Sequence, residues 1–216
     1  MRTIDTGGIC FIVPFSGTSE WYFGISREQG DLYEAEEIFK SGGQVSGNSL
    51  CLVHYPSGEV FRPAEKKPGT YFETPVYLDG CISFLDVDLE QGVIRISSFD
   101  CISHETSVLQ ELPLSKVTNC YNLQLHTAPL TLTRQGDEGL FEVIWPERSS
   151  FQMDPHESFF LREGEKLYFN KWYEEGEGRE YRYWEETVVR GIDGQLIETL
   201  PGDVMKMPGG ELWNLA

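Results

Sequence analysis

The sequence predicts an all-β fold built from antiparallel hairpins. Short runs in which apolar and polar residues alternate extend along most of the 216 residues. The 22 glycines and 11 prolines stand between these runs at intervals instead of gathering in one linker. Alternation with a period of two is typical of strands, and Gly and Pro between such runs are typical of turns. Long helical patterns are scarce, so helix is expected to make up less than about a quarter of the chain.

Taken in chain order, the turn residues predict four hairpins. The paired strands are residues 50–55 with 59–62, 81–88 with 93–98, 130–134 with 140–145, and 167–173 with 179–185. Their turns contain Pro56-Ser57-Gly58, Glu90-Gln91-Gly92, Gly136-Asp137-Glu138-Gly139 and Gly176-Glu177-Gly178, and a further turn is expected at Pro208-Gly209-Gly210. Residues 31–39 fit a short helix and a strand equally well, and both interpretations are kept.

The order of these elements indicates a β-propeller-like arrangement. Asp79-Gly80 and Asp193-Gly194 each precede an alternating strand, a second turn and a second strand, which resembles the rhythm of propeller blades. Five blades of about 43 residues would use the whole chain. A two-layer β-sandwich or a partly open barrel is the alternative. In either case residues 1–216 are expected to form a single all-β domain.

The composition excludes several classes of protein. Hydrophobic residues make up 40% and aromatic residues 13% of the chain, which is enough to form a large core and argues against disorder. The formal net charge is −18, and the largest basic cluster is the pair Lys66-Lys67. An acidic chain without a basic patch repels phosphate backbones, so nucleic acid is not expected as a partner.

Sequence features also bear on location and redox state. The apolar run at 9–15 is too short for a secretory signal, and no run approaches about 18 apolar residues, so neither export nor a membrane partner is expected. The number of cysteines, five, is odd, and no two of them form a Cys-x-x-Cys motif. A reducing cytoplasm is the expected compartment, without structural disulfides.

Motifs for catalysis and cofactor binding are missing from the sequence. There is no Gly-x-Ser-x-Gly, no Gly-x-x-x-x-Gly-Lys-[Ser/Thr] and no Gly-x-Gly-x-x-Gly, and the four histidines are isolated. We therefore predict no catalytic residue and no cofactor. One candidate calcium site consists of Asp86, Asp88 and Glu90, because alternation places their oxygen ligands on one face of a strand before Gly92. A charged strand edge explains the same pattern.

The segment from residue 168 to residue 186 is the main candidate for ligand binding. Seven aromatic residues alternate there with six glutamates. In a hairpin, neighbouring residues point to opposite faces, so both faces carry rings and only one can pack on the core. Rings edged by carboxylates suit sugars and cationic groups. The candidate binding residues are Tyr168, Trp172, Tyr181 and Trp184, and the competing interpretation is an ordinary core hairpin.

These features predict a non-catalytic binding or interaction module. Its ligand would be a small molecule, a glycan or a protein, recognised through the aromatic hairpin. One alternative is a hydrolase that acts on a glycan or polyol through carboxylates such as Asp86 and Asp88. Another is a structural subunit of a homo-oligomer, which would bury the same hairpin against a second copy.

Overall fold

The computed structural model describes residues 1–136, 138–207 and 210–216. Strands make up 49% and helices 7% of the structure, which confirms the prediction of an all-β fold with little helix. The expected turns at 136–139 and 208–210 fall in part on Asp137, Pro208 and Gly209, which lie outside the described residues. None of the helices in the described ranges is long and apolar enough to cross a membrane.

The chain divides into two compact units, Met1–Leu125 and His126–Ala216. The first unit has two sheets and one helix, α1 (Leu32–Lys40). The strands of its first sheet are β1 (Val13–Pro14), β2 (Trp21–Ile25), β3 (Leu50–His54) and β4 (Val60–Phe61), paired in that order. The strands of its second sheet are β5 (Thr70–Phe72), β6 (Val76–Leu78), β7 (Cys81–Asp88), β8 (Val93–Asp100) and β9 (Thr106–Pro113). In this sheet β5 and β6 both pair with β7, which pairs with β8, and β8 pairs with β9.

The second unit begins within β10 (Leu123–His126), which spans the boundary. This strand opens a four-stranded sheet, in which it is followed by β11 (Thr131–Gln135), β12 (Leu140–Trp145) and β13 (Ser149–Gln152), in that order. The next sheet contains β14 (Glu157–Glu163), β15 (Lys166–Glu175), β16 (Arg182–Gly191) and β17 (Leu196–Pro201). A separate hairpin is formed by β18 (Asp203–Lys206) and β19 (Leu212–Leu215). Short 3-10 helices occupy Leu114–Lys116 in the first unit and Gly178–Glu180 in the second.

The described strands form two small antiparallel sheets in each unit, in addition to the last hairpin. Small antiparallel sheets of this kind are the units of a β-propeller-like fold, and the described sheets number four where the sequence predicted about five blades. The difference has a local cause, because the connection from β2 to β3 contains α1 and the first sheet therefore uses a longer stretch of chain than an even division allows. The expectation of a single domain stays a prediction.

The helix interpretation of residues 31–39 is correct, and helix capping explains why. The Asp31 carboxylate accepts a hydrogen bond from the Glu34 backbone N–H at 2.9 Å, and the Glu34 carboxylate accepts one from the Asp31 N–H at 2.9 Å. This reciprocal pair is a capping box, which satisfies two amides that the helix leaves free. Leu32 and Ala35 then lie on the buried face.

Each unit has its own apolar core. In the first unit, rings from both sheets pack together, among them Trp21, Phe72, Phe84 and Phe99. In the second unit, the main core contains Phe141, Val143, Met153, Leu167, Phe169 and Val188. A smaller cluster on the other face of the β14–β17 sheet contains Tyr168, Val189 and Val204, with Val204 supplied by β18.

Candidate functional site

The hairpin of β15 and β16 extends beyond the sheet that contains it. Strand β14 pairs with β15 as far as Lys171, which lies opposite Glu157. On the other side of the hairpin, β17 pairs with β16 only from Glu186 onward, and Glu186 lies opposite Pro201. Past this level, the register pairs 172–175 of β15 with 182–185 of β16. We call this two-stranded extension, residues 172–185, the arm.

Aromatic rings lie on both faces of the arm, as alternation predicts. Tyr173 is directly opposite Trp184, so these two side chains share one face. Trp172 is opposite Glu185, on the other face, together with Tyr183. The two apolar clusters on the faces of the sheet, which contain Phe169 and Tyr168, include no residue of the arm.

The first face of the arm carries a stacked ring pair. The centroids of Tyr173 and Trp184 are 5.1 Å apart, with an angle of 6° between the ring planes. Lys171 Nζ lies 5.6 Å from the centre of the Tyr173 ring, within the range of a cation–π contact. Trp184 keeps 40% of its surface exposed. This face therefore presents an open aromatic surface that already attracts one ammonium group.

The second face combines tyrosines with carboxylates. Tyr181 and Tyr183 are exposed, and their hydroxyls donate hydrogen bonds to Glu174, at 3.2 Å, and to Glu185. The bond to Glu185 raises the pKa of Tyr183, and the same contact holds the pKa of Glu185 below its ordinary value. Each carboxylate is therefore held beside a tyrosine ring.

A turn between β13 and β14 supports the base of the arm. His156 stacks on Trp172 with a centroid separation of 3.9 Å and an interplanar angle of 11°. Buried Glu157 pairs with Arg190 at 2.8 Å, and Asp154 pairs with Lys171 at 3.1 Å and with Arg190 at 3.2 Å. These bonds tie the turn to both strands, so the arm starts from a fixed platform.

The four predicted binding residues lie in different environments. Tyr181 and Trp184 are exposed on the arm, and Trp172 is half-buried under His156. Tyr168 corrects the prediction: it is only 6% exposed and packs with Val189 and Val204, because β18 supplies a second layer at that level of the sheet. Tyr168 is therefore a core residue and is left out of the candidate surface.

Two residues of the surface were not selected from the sequence. Tyr173 and Tyr183 complete the stacked pair and the tyrosine–carboxylate face. The register of the hairpin would have identified them, since Tyr173 must face Trp184 once β15 and β16 are aligned. The alignment depends on the six-residue connection at 176–181, whose length the turn glycines alone do not fix.

The aspartates of the calcium candidate have a cationic neighbour. Arg95 donates to Asp86 at 3.1 Å, lies 3.8 Å from Asp88, and pairs with Glu111 at 2.9 Å. Asp86 and Asp88 are buried, whereas Glu90 is exposed. No group of three His, Cys, Asp or Glu side chains in the described ranges is arranged to hold a metal ion. The calcium site stays a prediction, and the ion pairs with Arg95 give the two aspartates a structural role.

Burial shifts the pKa of several cysteines and of His126 away from the values that catalysis needs. All five cysteines are free thiols. Burial raises the pKa of Cys120, and raises that of Cys101 to about 12, so both stay protonated. Burial lowers the pKa of His126 to about 4, which keeps its ring neutral. Such groups are typical of packing rather than of catalysis.

Comparison of the chain with protein-family models and with curated proteins finds no match. A proposal about function therefore depends on the chemistry of the surface itself.

Proposed function

We propose that the protein is a non-catalytic binding module whose arm recognises a cationic segment of a partner protein. The observation that carries this proposal is the projection of exposed rings and carboxylates beyond their sheet. A strand pair that serves only the core has no reason to extend past its neighbouring strands. Exposed aromatic residues on a projecting element are typical of recognition surfaces.

The charge of the arm favours a cationic partner. Residues 172–185 contain five glutamates and two arginines. Acidic side chains at the edges of rings attract Lys and Arg from a distance, and the ring faces then contact the cation or its aliphatic stem. The contact of Lys171 with Tyr173 supports this chemistry, because it places an ammonium group on the same ring surface.

A glycan is the weaker candidate for this surface. Sugar sites combine a ring platform with convergent hydrogen-bond donors and acceptors in a concave pocket. The rings of the arm lie on both faces of a projecting ribbon, and the carboxylates of Glu174 and Glu185 already accept bonds from tyrosines. A peptide segment can wrap such a ribbon, whereas a sugar ring contacts one face of it.

The glycan hydrolase alternative has no support from the aspartates on which it depended. Glycosidases need one protonated and one ionised carboxyl group on either side of a cleft. Asp86 and Asp88 instead share the guanidinium of Arg95 on one face of β7. Their arrangement favours a structural ion-pair network.

The test uses a fluorescent peptide of alternating Arg and Gly residues and a matched peptide of alternating Ser and Gly. We expect saturable binding of the Arg peptide, weakened by added salt, and about a tenfold loss of affinity for Trp184→Ala. Trp213→Ala is the matched control, since Trp213 is 52% exposed but lies on β19, outside the arm. It should bind the peptide like the unmodified protein.

Three results would contradict the proposal. Equal binding of the Arg and Ser peptides would show that charge is not recognised. Equal losses of affinity for the Arg peptide in Trp184→Ala and Trp213→Ala would place the contact outside the arm. Self-association that disappears in Trp184→Ala, without peptide binding, would identify a second copy of the chain as the partner.

A further inference from the structure

An apolar groove lies along the first sheet of the first unit. The segment before β1 and strand β2 line it, and its apolar lining residues include Ile9, Phe11, Val13, Phe23 and Ile25. The groove has a volume of about 610 Å³. Such a space is in the size range of small-molecule pockets.

A small polar cavity adjoins this groove. Arg27 and Thr74 line both spaces, so the two lie side by side at these residues. The cavity has a volume of about 120 Å³, and its other lining side chains include Tyr33, Glu73 and Tyr121. The combined space is therefore apolar along the groove and charged at one end.

Glu73 is the buried anion of the cavity. The side chain is only 8% exposed, and its two oxygens accept hydrogen bonds from the backbone N–H groups of Leu32 at 3.3 Å and Thr74 at 3.2 Å. Burial raises its pKa, and these bonds and the charge of Arg27 oppose the rise. A carboxylate can accept more than two bonds, and a buried one is stabilised by a cationic group.

Arg27, an exposed arginine, is the cation that lines both the groove and the cavity. Its charge acts on Glu73, yet within the described part of the chain its guanidinium makes neither a hydrogen bond nor an ion pair. Arg27 thus lines one cavity with two carboxylates, Glu73 and the helix cap Asp31, and in the described part of the chain it forms an ion pair with neither. A cavity lined by a carboxylate and a guanidinium suits a ligand that carries both opposite charges.

We infer that the groove and the cavity together bind a free α-amino acid with a large apolar side chain. Glu73 accepts hydrogen bonds from the ammonium group, Arg27 donates to the carboxylate, and the side chain lies in the groove beside Phe23 and Ile25. The cavity is large enough for the charged head alone. The groove provides the apolar surface that distinguishes leucine or phenylalanine from glycine.

Cys10 provides a direct reporter of occupancy. It lines the groove and is exposed, whereas the other four thiols are buried or half-buried. We expect saturating L-leucine to slow the reaction of Cys10 with a maleimide, and calorimetry to give saturable binding. Leucine analogues resolve each contact: 3-methylbutylamine lacks the carboxylate, 4-methylpentanoic acid lacks the ammonium group, and glycine lacks the side chain. Each of these three compounds should slow the reaction of Cys10 with the maleimide less than leucine does.

Variants connect the protection to the two charges. Arg27→Ala should weaken leucine binding about tenfold or more, because a charge-assisted hydrogen-bond pair is lost. Glu73→Gln should weaken it similarly, and its unfolding curve must first show that the variant folds, since Glu73 also holds the start of α1. Arg2→Ala is the control, because Arg2 is an exposed arginine of the same unit that donates to the Pro56 carbonyl. It should bind like the unmodified protein.

The inference fails if neither leucine nor phenylalanine protects Cys10 at millimolar concentration. Equal protection by the amine would contradict the role of Arg27, and equal protection by the acid would contradict the role of Glu73. Unchanged binding in Arg27→Ala would overturn the site even if Glu73→Gln does not fold.

Discussion

Two long hairpins of this protein have similar patterns and opposite surroundings. In the first unit, β7 and β8 pair over eight residues each, and neighbouring strands flank them on both sides. In the second unit, β15 and β16 pair over ten residues each, but β14 and β17 flank them only as far as Lys171 and Glu186. Alternation is therefore a local property, whereas burial depends on which strands lie alongside.

The acidic residues of the two hairpins differ in the same way. In β7, the buried Asp86 and Asp88 share Arg95 from the opposite strand. In the arm, Glu174 and Glu185 are held by tyrosine hydroxyls and face solvent. Buried charge must be neutralised within the fold, while exposed charge remains free to attract a partner.

The largest effect should come from removing a core ring of the β7–β8 hairpin. Phe84 is 1% exposed and belongs to the aromatic core of the first unit. Phe84→Ala is expected to lower the free energy of unfolding by about 3–5 kcal/mol, because a cavity remains where the ring was. Urea denaturation followed by circular dichroism measures the change. A loss under about 1 kcal/mol would show that the Phe84 ring does not stabilise a packed core.

Removal of Arg95 should have the next largest effect. Arg95→Met leaves the carboxylates of Asp86 and Asp88 without their cation, and we expect a loss of about 2–4 kcal/mol at neutral pH. Burial already raises the pKa of Asp86 although Arg95 opposes the rise, so without Arg95 the pKa rises further. The folded state then binds a proton more readily than the unfolded state, and the loss should shrink as the pH falls.

The double variant Arg95→Met, Asp86→Asn is the control for this effect. It removes one of the two buried charges together with its cation, so part of the lost stability should return at neutral pH. Denaturation curves at neutral and acidic pH test both statements. A loss that does not depend on pH would mean that packing of the Arg95 stem, and not its charge, stabilises the hairpin.

A smaller effect should separate the two tryptophans of the arm. Trp172 stacks on His156 at the base, so Trp172→Ala should cost about 1–2 kcal/mol. Trp184 is exposed next to Tyr173, so Trp184→Ala should cost less than about 1 kcal/mol while it weakens binding of the Arg peptide. Parallel unfolding and binding curves give both quantities. Equal, large losses of stability would mean that the arm is covered like the β7–β8 hairpin.

The smallest expected effect concerns a single hydroxyl. Glu185 raises the pKa of Tyr183 by accepting its hydrogen bond, so Glu185→Gln should bring that pKa down toward the ordinary tyrosine value. Absorbance titration of phenolate measures the shift, with Tyr183→Phe as the variant that identifies the signal. The free energy of unfolding should not change measurably, since the Tyr183 side chain is 53% exposed. No change in the pKa would mean that the pair does not persist in solution.

Much of the fold could be predicted because its signals are local. The hairpin of β7 and β8 follows from alternation on both sides of Gly92, and Asp79-Gly80 does form a tight turn, with φ of 50° and 81°, between β6 and β7. The helix at Leu32–Lys40 has a local signal as well, because the reciprocal cap of Asp31 and Glu34 favours a helix over a strand. The number of blades depends on how much chain each sheet uses, which no local pattern contains.

The candidate sites were less predictable, because they depend on layers and on distant segments. Alternation correctly predicts rings on both faces of the hairpin. It does not show that β18 covers Tyr168, or that the arm extends beyond its sheet. The cavity of Arg27 and Glu73 was missed altogether. Its lining comes from segments that are far apart in sequence and share no motif spacing.

The order of strands has a consequence for how the chain acquires its structure. Within the described sheets, nearly every strand pairs with the strand before or after it, and β5 with β7 is the exception. Closing short loops costs less entropy than joining distant segments, so such pairings form early and quickly. The slowest step within a sheet should be the pairing of β2 with β3, whose connection holds α1. We expect the chain to fold sheet by sheet as it leaves the ribosome, without waiting for its last residues.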